Sequence, residues 1–152
     1  MVEINSDQSV YLGRKIILVI EDSPTQALRL QALLESESCS TLLAVDGEMG
    51  VRMAQQLLPN LVLLDLQMPR LNGLQVIQEL KRNPRTANIP IILLSRYCED
   101  ELGKSAQELG VLDCIPKNAM MEKVLLETLK HMGYLCSSAN DTYSALANDK
   151  PG

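Results

Sequence analysis

The sequence predicts an α/β protein in which one doubly wound sheet of five parallel strands is covered by five helices. Two observations carry this expectation. Short apolar runs recur along the chain, several of them continuous rather than alternating, as expected of strands covered on both faces. Each run is followed by a segment whose apolar residues return every three or four positions, the spacing of a helix with one buried stripe. Strand and helix alternate five times, which argues for right-handed crossovers in an open sheet rather than an eight-fold barrel.

The elements follow in order. Residues 15–20 (KIILVI) form the first run, and Ala27, Leu30, Leu33 and Leu34 mark the stripe after it. Ser23-Pro24 opens that helix, as an N-cap followed by proline at the first helical position. Residues 41–45 (TLLAV) precede a stripe of Val51, Ala54 and Leu58. Residues 61–64 (LVLL) precede Leu74, Ile77 and Leu80, and residues 89–94 (IPIILL) precede Leu102, Ala106 and Leu109. Gly110 suits a helix C-terminal cap, and Pro59-Asn60 and Asn83-Pro84 mark turns. Residues 111–115 (VLDCI) are the last run, before Val124, Leu125, Leu129 and Met132. The expected organisation is an N-terminal extension (1–13), one domain (14–135) and a polar C-terminal tail (136–152), with a short helix around 143–147.

Composition removes several function classes. A chain of 152 residues can build one core without metal or disulfide support. Its net charge of −5, with no Phe, no Trp and four Tyr, is the reverse of a nucleic-acid-binding surface. His131 is the single histidine and no GxSxG elbow is present, which argues against a Ser-His-Asp hydrolase. Cys39, Cys98, Cys114 and Cys136 form no CxxC pair, so a Cys/His zinc site is not expected. They are expected as reduced thiols packed like small apolar residues. The N-terminus lacks the basic flank and apolar run of a signal peptide, and no apolar stretch reaches membrane-spanning length. The expected location is the cytoplasm, with no membrane and no direct nucleic-acid partner.

An open parallel sheet places its ligand crevice outside the carboxyl ends of its strands. The polar residues at those ends are Glu21 and Asp22 after the first run, Asp65 after the third, Ser95 after the fourth and Lys117 after the fifth. Three converging carboxylates repel one another unless a cation neutralises them. Hard oxygen donors without nearby His or Cys favour Mg²⁺. A divalent cation, a lysine and a hydroxyl together suit an anion rich in oxygens, a phosphoryl group above all.

Four segments carry a resemblance: LVIEDSPTQ, LVLLDLQMPRLNG, PIILLS and DCIPK. Over roughly residues 14 to 135 the chain resembles the receiver domain of two-component response regulators, which have a (βα)5 flavodoxin-like fold. The resemblance implies that Asp65 accepts a phosphoryl group from a histidine kinase or histidine phosphotransfer protein. It also implies that Glu21, Asp22, Asp65 and the backbone carbonyl of Gln67 bind Mg²⁺, and that Ser95 and Lys117 contact phosphoryl oxygens. Pro69 and Gly73 would shape the loop after the acceptor. No output domain falls within the 152 residues, so a single-domain regulator is expected. It would catalyse its own phosphorylation and dephosphorylation, turn over no separate substrate, and act on a downstream protein as a monomer or phosphorylation-dependent dimer.

Three positions depart from the family pattern: Cys114 replaces the usual aromatic switch residue, Asn118 the proline after the lysine, and Arg96 the small residue after the hydroxyl. With Cys114 too small to act as a turning ring, two outcomes are open: Tyr97 packs at the helix start and the protein switches weakly, or Tyr97 with Arg96 carries the signal away from Ser95. Two alternatives stand beside this reading. One is a degenerate receiver that binds its partner without phosphorylation. The other is a Mg²⁺-dependent phosphohydrolase acting through Asp65. Haloacid-dehalogenase-type enzymes carry a second Asp two residues after the nucleophile, where this chain has Gln67.

Overall fold

The computed structural model describes residues 14–68 and 72–135. Pro69, the two extensions and the helix expected near 143–147 lie outside the described residues.

Ten elements alternate: β1 (Ile16–Ile20), α1 (Pro24–Ser36), β2 (Ser40–Ala44), α2 (Gly47–Leu57), β3 (Leu61–Asp65), α3 (Gly73–Arg82), β4 (Ile91–Ser95), α4 (Glu101–Glu108), β5 (Asp113–Pro116) and α5 (Met121–His131). All strand pairs are parallel, in the order β2-β1-β3-β4-β5. The chain steps outward from β1 to β2, then reverses and crosses to β3. Helices diverge at that reversal, which opens a crevice above the ends of β1 and β3.

Period-two alternation along the strands divides the core into two layers. Ile17, Val19, Leu61, Leu63, Ile92, Leu94 and Ile115 meet α1 and α5 through Leu30, Leu34, Leu125 and Leu129. Leu18, Ile20, Val62, Leu64 and Leu93 meet α2, α3 and α4 through Val51, Ala54, Val76, Ile77, Leu80 and Ala106. Strands β3 and β4 are buried throughout, which is why their sequences read as continuous apolar runs. The edge strand β5 buries only Ile115 of its four residues. No helix among the described residues is long and apolar enough to cross a membrane.

Local chemistry sets the helix boundaries. The Ser23 hydroxyl accepts from the Gln26 N–H at 3.3 Å, with Pro24 at the first helical position. Asp46, Asn72 and Asp100 cap α2, α3 and α4 in the same manner. Gly110, with φ +94°, turns the chain after α4. Leu58, expected on the helical stripe of α2, instead takes a left-handed cap conformation with φ 47° and is exposed. Pro59 disfavours right-handed helical backbone at the residue before it.

At the amino edge of the sheet, Asn60 joins three segments. Its Oδ1 accepts from the Ile16 N–H at 2.8 Å, and its carbonyl accepts from the Tyr134 hydroxyl at 3.1 Å. Lys15 lies 5.0 Å over the Tyr134 ring, and the buried Cys39 thiol donates to the Tyr134 carbonyl at 3.5 Å.

The expectation of reduced thiols fits the burial of Cys39 but is overturned for two others, since Cys98 and Cys114 form a disulfide. Cys98 lies in the loop after β4, and Cys114 lies on β5, paired with Leu93. Their Cα atoms are 5.8 Å apart, within the span a disulfide bridges. The 16-residue separation matches one pass through α4 and back to the adjacent strand, so parallel topology brings the two sulfurs together.

The start of α3 is pressed against the end of β3. A Cβ on Gly73 would lie 2.7 Å from the Leu66 Cα and carbonyl oxygen, and the Gly73 N–H donates to that carbonyl at 3.2 Å. Backbone cannot give way as a side-chain tip can. Gly73→Ala is therefore expected to cost about 1–3 kcal/mol, read as a lower urea midpoint with unchanged slope. An unaltered midpoint would show that the contact is not tight.

Candidate functional site

Each strand that borders the crevice delivers a polar group to its carboxyl edge. Glu21 and Asp22 follow β1, Asp65 ends β3, Ser95 ends β4 and Lys117 follows β5. Glu21, Asp65 and Ser95 are buried, whereas Asp22 is exposed. The local folding is tied to the ladder. The Glu21 N–H donates to the Ala44 carbonyl at 3.0 Å, and the Lys117 N–H donates to the Ser95 carbonyl at 2.8 Å.

The carboxylates of Glu21, Asp22 and Asp65 lie with oxygens within 4.8 Å of one another. The Lys117 Nζ is 3.1 Å from Asp65 Oδ1 and 3.4 Å from Glu21 Oε1. Asp65 Oδ1 also accepts the Gln67 N–H at 3.0 Å, and Glu21 Oε2 accepts the Ser23 N–H at 3.2 Å. Sequence spacing did not reveal these two amide contacts, because they arise from turns two residues beyond each acid. Four of the expected residues thus meet directly. Ser95 stands beside them, its hydroxyl accepting the Tyr97 N–H at 3.3 Å rather than contacting a carboxylate. The Tyr97 side chain is 61% exposed, so it does not pack into the site.

Among the described residues, the Lys117 ammonium alone is paired with this group of three acids. Burial, reinforced by the Asp65 charge, pushes the Glu21 carboxyl up from 4.5 to about 7, against the opposing pull of Lys117. A cation bound among these acids would oppose that upward shift. The donors are all oxygens, and two of the acids are buried, so the set fits a hard divalent cation such as Mg²⁺. Beside Lys117 a groove of about 570 Å³ opens between α1 and α5, flanked by Gln26, Arg29, Asn118 and Glu122.

Comparison with known proteins agrees with this arrangement. A family model described as "Response regulator receiver domain" matches residues 17–147. The chain is 34% identical over 113 residues to Protein PilH of Pseudomonas aeruginosa, which covers 74% of this chain and 93% of that protein. It is 34% identical over 109 residues to the DNA-binding dual master transcriptional regulator RpaA of Synechocystis, covering 72% of this chain but 45% of that protein. The signal receiver domain of a signal transduction histidine kinase from Syntrophus aciditrophicus superimposes with a TM-score of 0.70 at 32% identity, covering 77% of this chain and 88% of that one. The fold also matches the receiver domain of the sensor histidine kinase PA1611 from Pseudomonas aeruginosa, whose crystal structure has a magnesium ion in the active-site cleft. That match has a TM-score of 0.71 at 24% identity, covering 78% of this chain and 96% of that one. A sheet of order β2-β1-β3-β4-β5, an acidic cluster at its carboxyl edge and these relatives lead to one conclusion: the chain belongs to the response regulator receiver domain family of two-component signalling.

Proposed function

We propose that Asp65 accepts a phosphoryl group from the phosphohistidine of a histidine kinase or phosphotransfer protein, and that the modified chain signals by binding another protein. The observation that carries this reading is the placement of Asp65. It is a buried carboxylate with the Lys117 ammonium 3.1 Å away and a carboxylate pair beside it. The setting is the cytoplasm, where phosphodonors and Mg²⁺ are both at hand.

An Asp65 oxygen attacks phosphorus in line with the departing imidazole nitrogen. The P–N bond breaks as the P–O bond forms, and the imidazole leaves with a proton. Two anions must approach for this to happen, so charge shielding and alignment account for most of the catalysis. Glu21, Asp22, Asp65 and the Gln67 carbonyl would hold Mg²⁺, which when bound supplies neutralising charge and a template for phosphoryl oxygens. Lys117, already on Asp65, transfers its ammonium to a phosphoryl oxygen. The Ser95 hydroxyl keeps a proton to donate to another, because its bond with Tyr97 uses the oxygen as acceptor. The chain thus catalyses its own phosphorylation and hydrolysis without a separate substrate. The product adds negative charge and strong acceptor oxygens to the crevice, and the downstream protein meets that altered surface as a monomer or as a phosphorylation-dependent dimer.

Incubation with acetyl phosphate and Mg²⁺ is expected to add about 80 Da, one phosphoryl group, to the intact mass. The adduct should be absent from Asp65→Asn, which keeps the fold. Full labelling of that variant would overturn the assignment, and no adduct on the parent would favour phosphorylation-independent binding.

Mg²⁺ is expected to stabilise the protein by linkage. At ten times the dissociation constant the gain is about 1.4 kcal/mol, and Asp22→Ala should lose most of it in thermal melts. An identical Mg²⁺ response in both proteins would remove Asp22 from the metal set.

Without metal, the raised Glu21 carboxyl gives a signed pH dependence. Its stabilising contribution is complete below about 4.5 and is lost as the pH climbs through about 7, because the folded state then sheds a proton it held more tightly than the unfolded chain. The urea midpoint of the parent should therefore fall relative to Glu21→Gln across that window. Parallel pH profiles would show that Glu21 is not perturbed.

A further inference from the structure

The Cys98–Cys114 bridge lies outside the carboxylate cluster and spans the two arms that feed it. Cys98 is three positions after Ser95, and Cys114 is three positions before Lys117. On one side the cross-link holds the loop at 96–100, whose Tyr97 N–H binds the Ser95 hydroxyl. On the other it holds β5, the edge strand with a single buried residue. The Cys98 carbonyl is in turn wedged against α4: it accepts from Gln107 at 3.3 Å, and a Cβ on Gly103 would lie 2.6 Å from the Cys98 carbonyl carbon. One covalent bond therefore couples β4, the loop, α4 and β5.

Both cysteines are half-buried and line an open groove of about 580 Å³, together with Arg96, Tyr97, Asp100 and Pro116. The groove offers a small reductant a route to the bridge. In a reducing compartment such a bond is transient and redox-sensing rather than structural.

We propose that Cys98 and Cys114 form a reversible thiol–disulfide site that controls how far the 96–100 loop and β5 respond to phosphorylation at Asp65. The regulatory half of this inference rests on the phosphoacceptor reading, whereas the exchange chemistry does not. A dithiol of the class that reduces protein disulfides attacks one sulfur as its thiolate. The Cys98–Cys114 S–S bond breaks, a mixed disulfide forms, and the departing sulfur takes up a proton. The second thiol of the reductant then attacks. The reductant leaves as a disulfide, two electrons having passed to the protein, and Cys98 and Cys114 both become thiols. A low-molecular-weight disulfide reverses the sequence. In the oxidised form the loop is tied to β5 and movement of Ser95 is resisted. In the reduced form the loop is held by its hydrogen bonds alone.

The test combines maleimide labelling with amide hydrogen exchange. The parent, oxidised with glutathione disulfide, is compared with dithiothreitol-reduced parent and with the Cys98→Ser/Cys114→Ser double variant, each with and without acetyl phosphate and Mg²⁺. Far-UV circular dichroism checks that the variant folds, and the reduced parent supplies the same comparison without substitution. Labelling of Cys98 and Cys114 is expected only after reduction, with exchange at 96–103 at least ten-fold faster in the reduced and variant forms. The phosphorylation-dependent change at 96–103 and 111–116 should be several-fold larger in those forms. Labelling of both cysteines after oxidation, or equal exchange in the two redox states, would overturn the redox site. An Asp65 adduct in every form with the same exchange response would overturn the control. Faster exchange on reduction with no adduct in any form would uphold the redox site and refute the phosphoacceptor reading instead.

Discussion

The Lys117 ammonium lies 3.1 Å from Asp65 and 3.4 Å from Glu21, and both acids are nearly inaccessible to solvent. Removing one partner from such a group leaves an uncompensated buried charge. The neighbouring segments can be understood as supports for this arrangement. Strand β3 is buried along its whole length to deliver Asp65 to the crevice, and β5, though short and exposed, is hydrogen-bonded to β4 where Lys117 begins. Burial beside Asp65 pushes the Glu21 carboxyl up to about 7. The site is therefore poised toward cation and anion together, because a cation relieves the acids and an anion gives the lysine a second partner.

Most of the architecture was legible in the residues. Continuous apolar runs at β3 and β4, alternating with helical stripes, pointed to strands of a sheet covered on both faces, and the polar residue ending each run fell where the topology requires a crevice. Ser23-Pro24 and Gly110 marked helix boundaries because their backbone preferences are intrinsic to the residue. Leu58 was misplaced because its side chain fits the helical stripe while Pro59 disfavours the helical backbone there, and a periodicity argument weighs only the first. The site was legible in its residue types but not in its contacts. The bonds from the Ser23 and Gln67 amides depend on turn geometry, and the burial that raises Glu21 depends on how closely the sheet and helices pack.

The disulfide was invisible for a different reason. The cysteines read as reduced thiols because they are far apart in sequence, yet the crossover through α4 brings the loop after β4 against β5, 16 residues on. A parallel sheet converts sequence distances of about one helix plus two turns into spatial adjacency. In α/β chains that spacing therefore has to be read through the topology. Cys114 is accordingly neither an empty position nor a simple core residue. It packs against the α3–α4 layer and is covalently joined to the loop.

The Asn60–Tyr134 junction at the amino edge of the sheet has a consequence for modular assembly. It clasps the start of β1 and the residues just after α5 at the pole opposite Asp65. The start of β1 and the residues just after α5 therefore meet at one pole, with the length of the strands between them and the crevice. A module joined directly at residue 14 or 135 would start a strand's length from Asp65, roughly 15 Å for five residues.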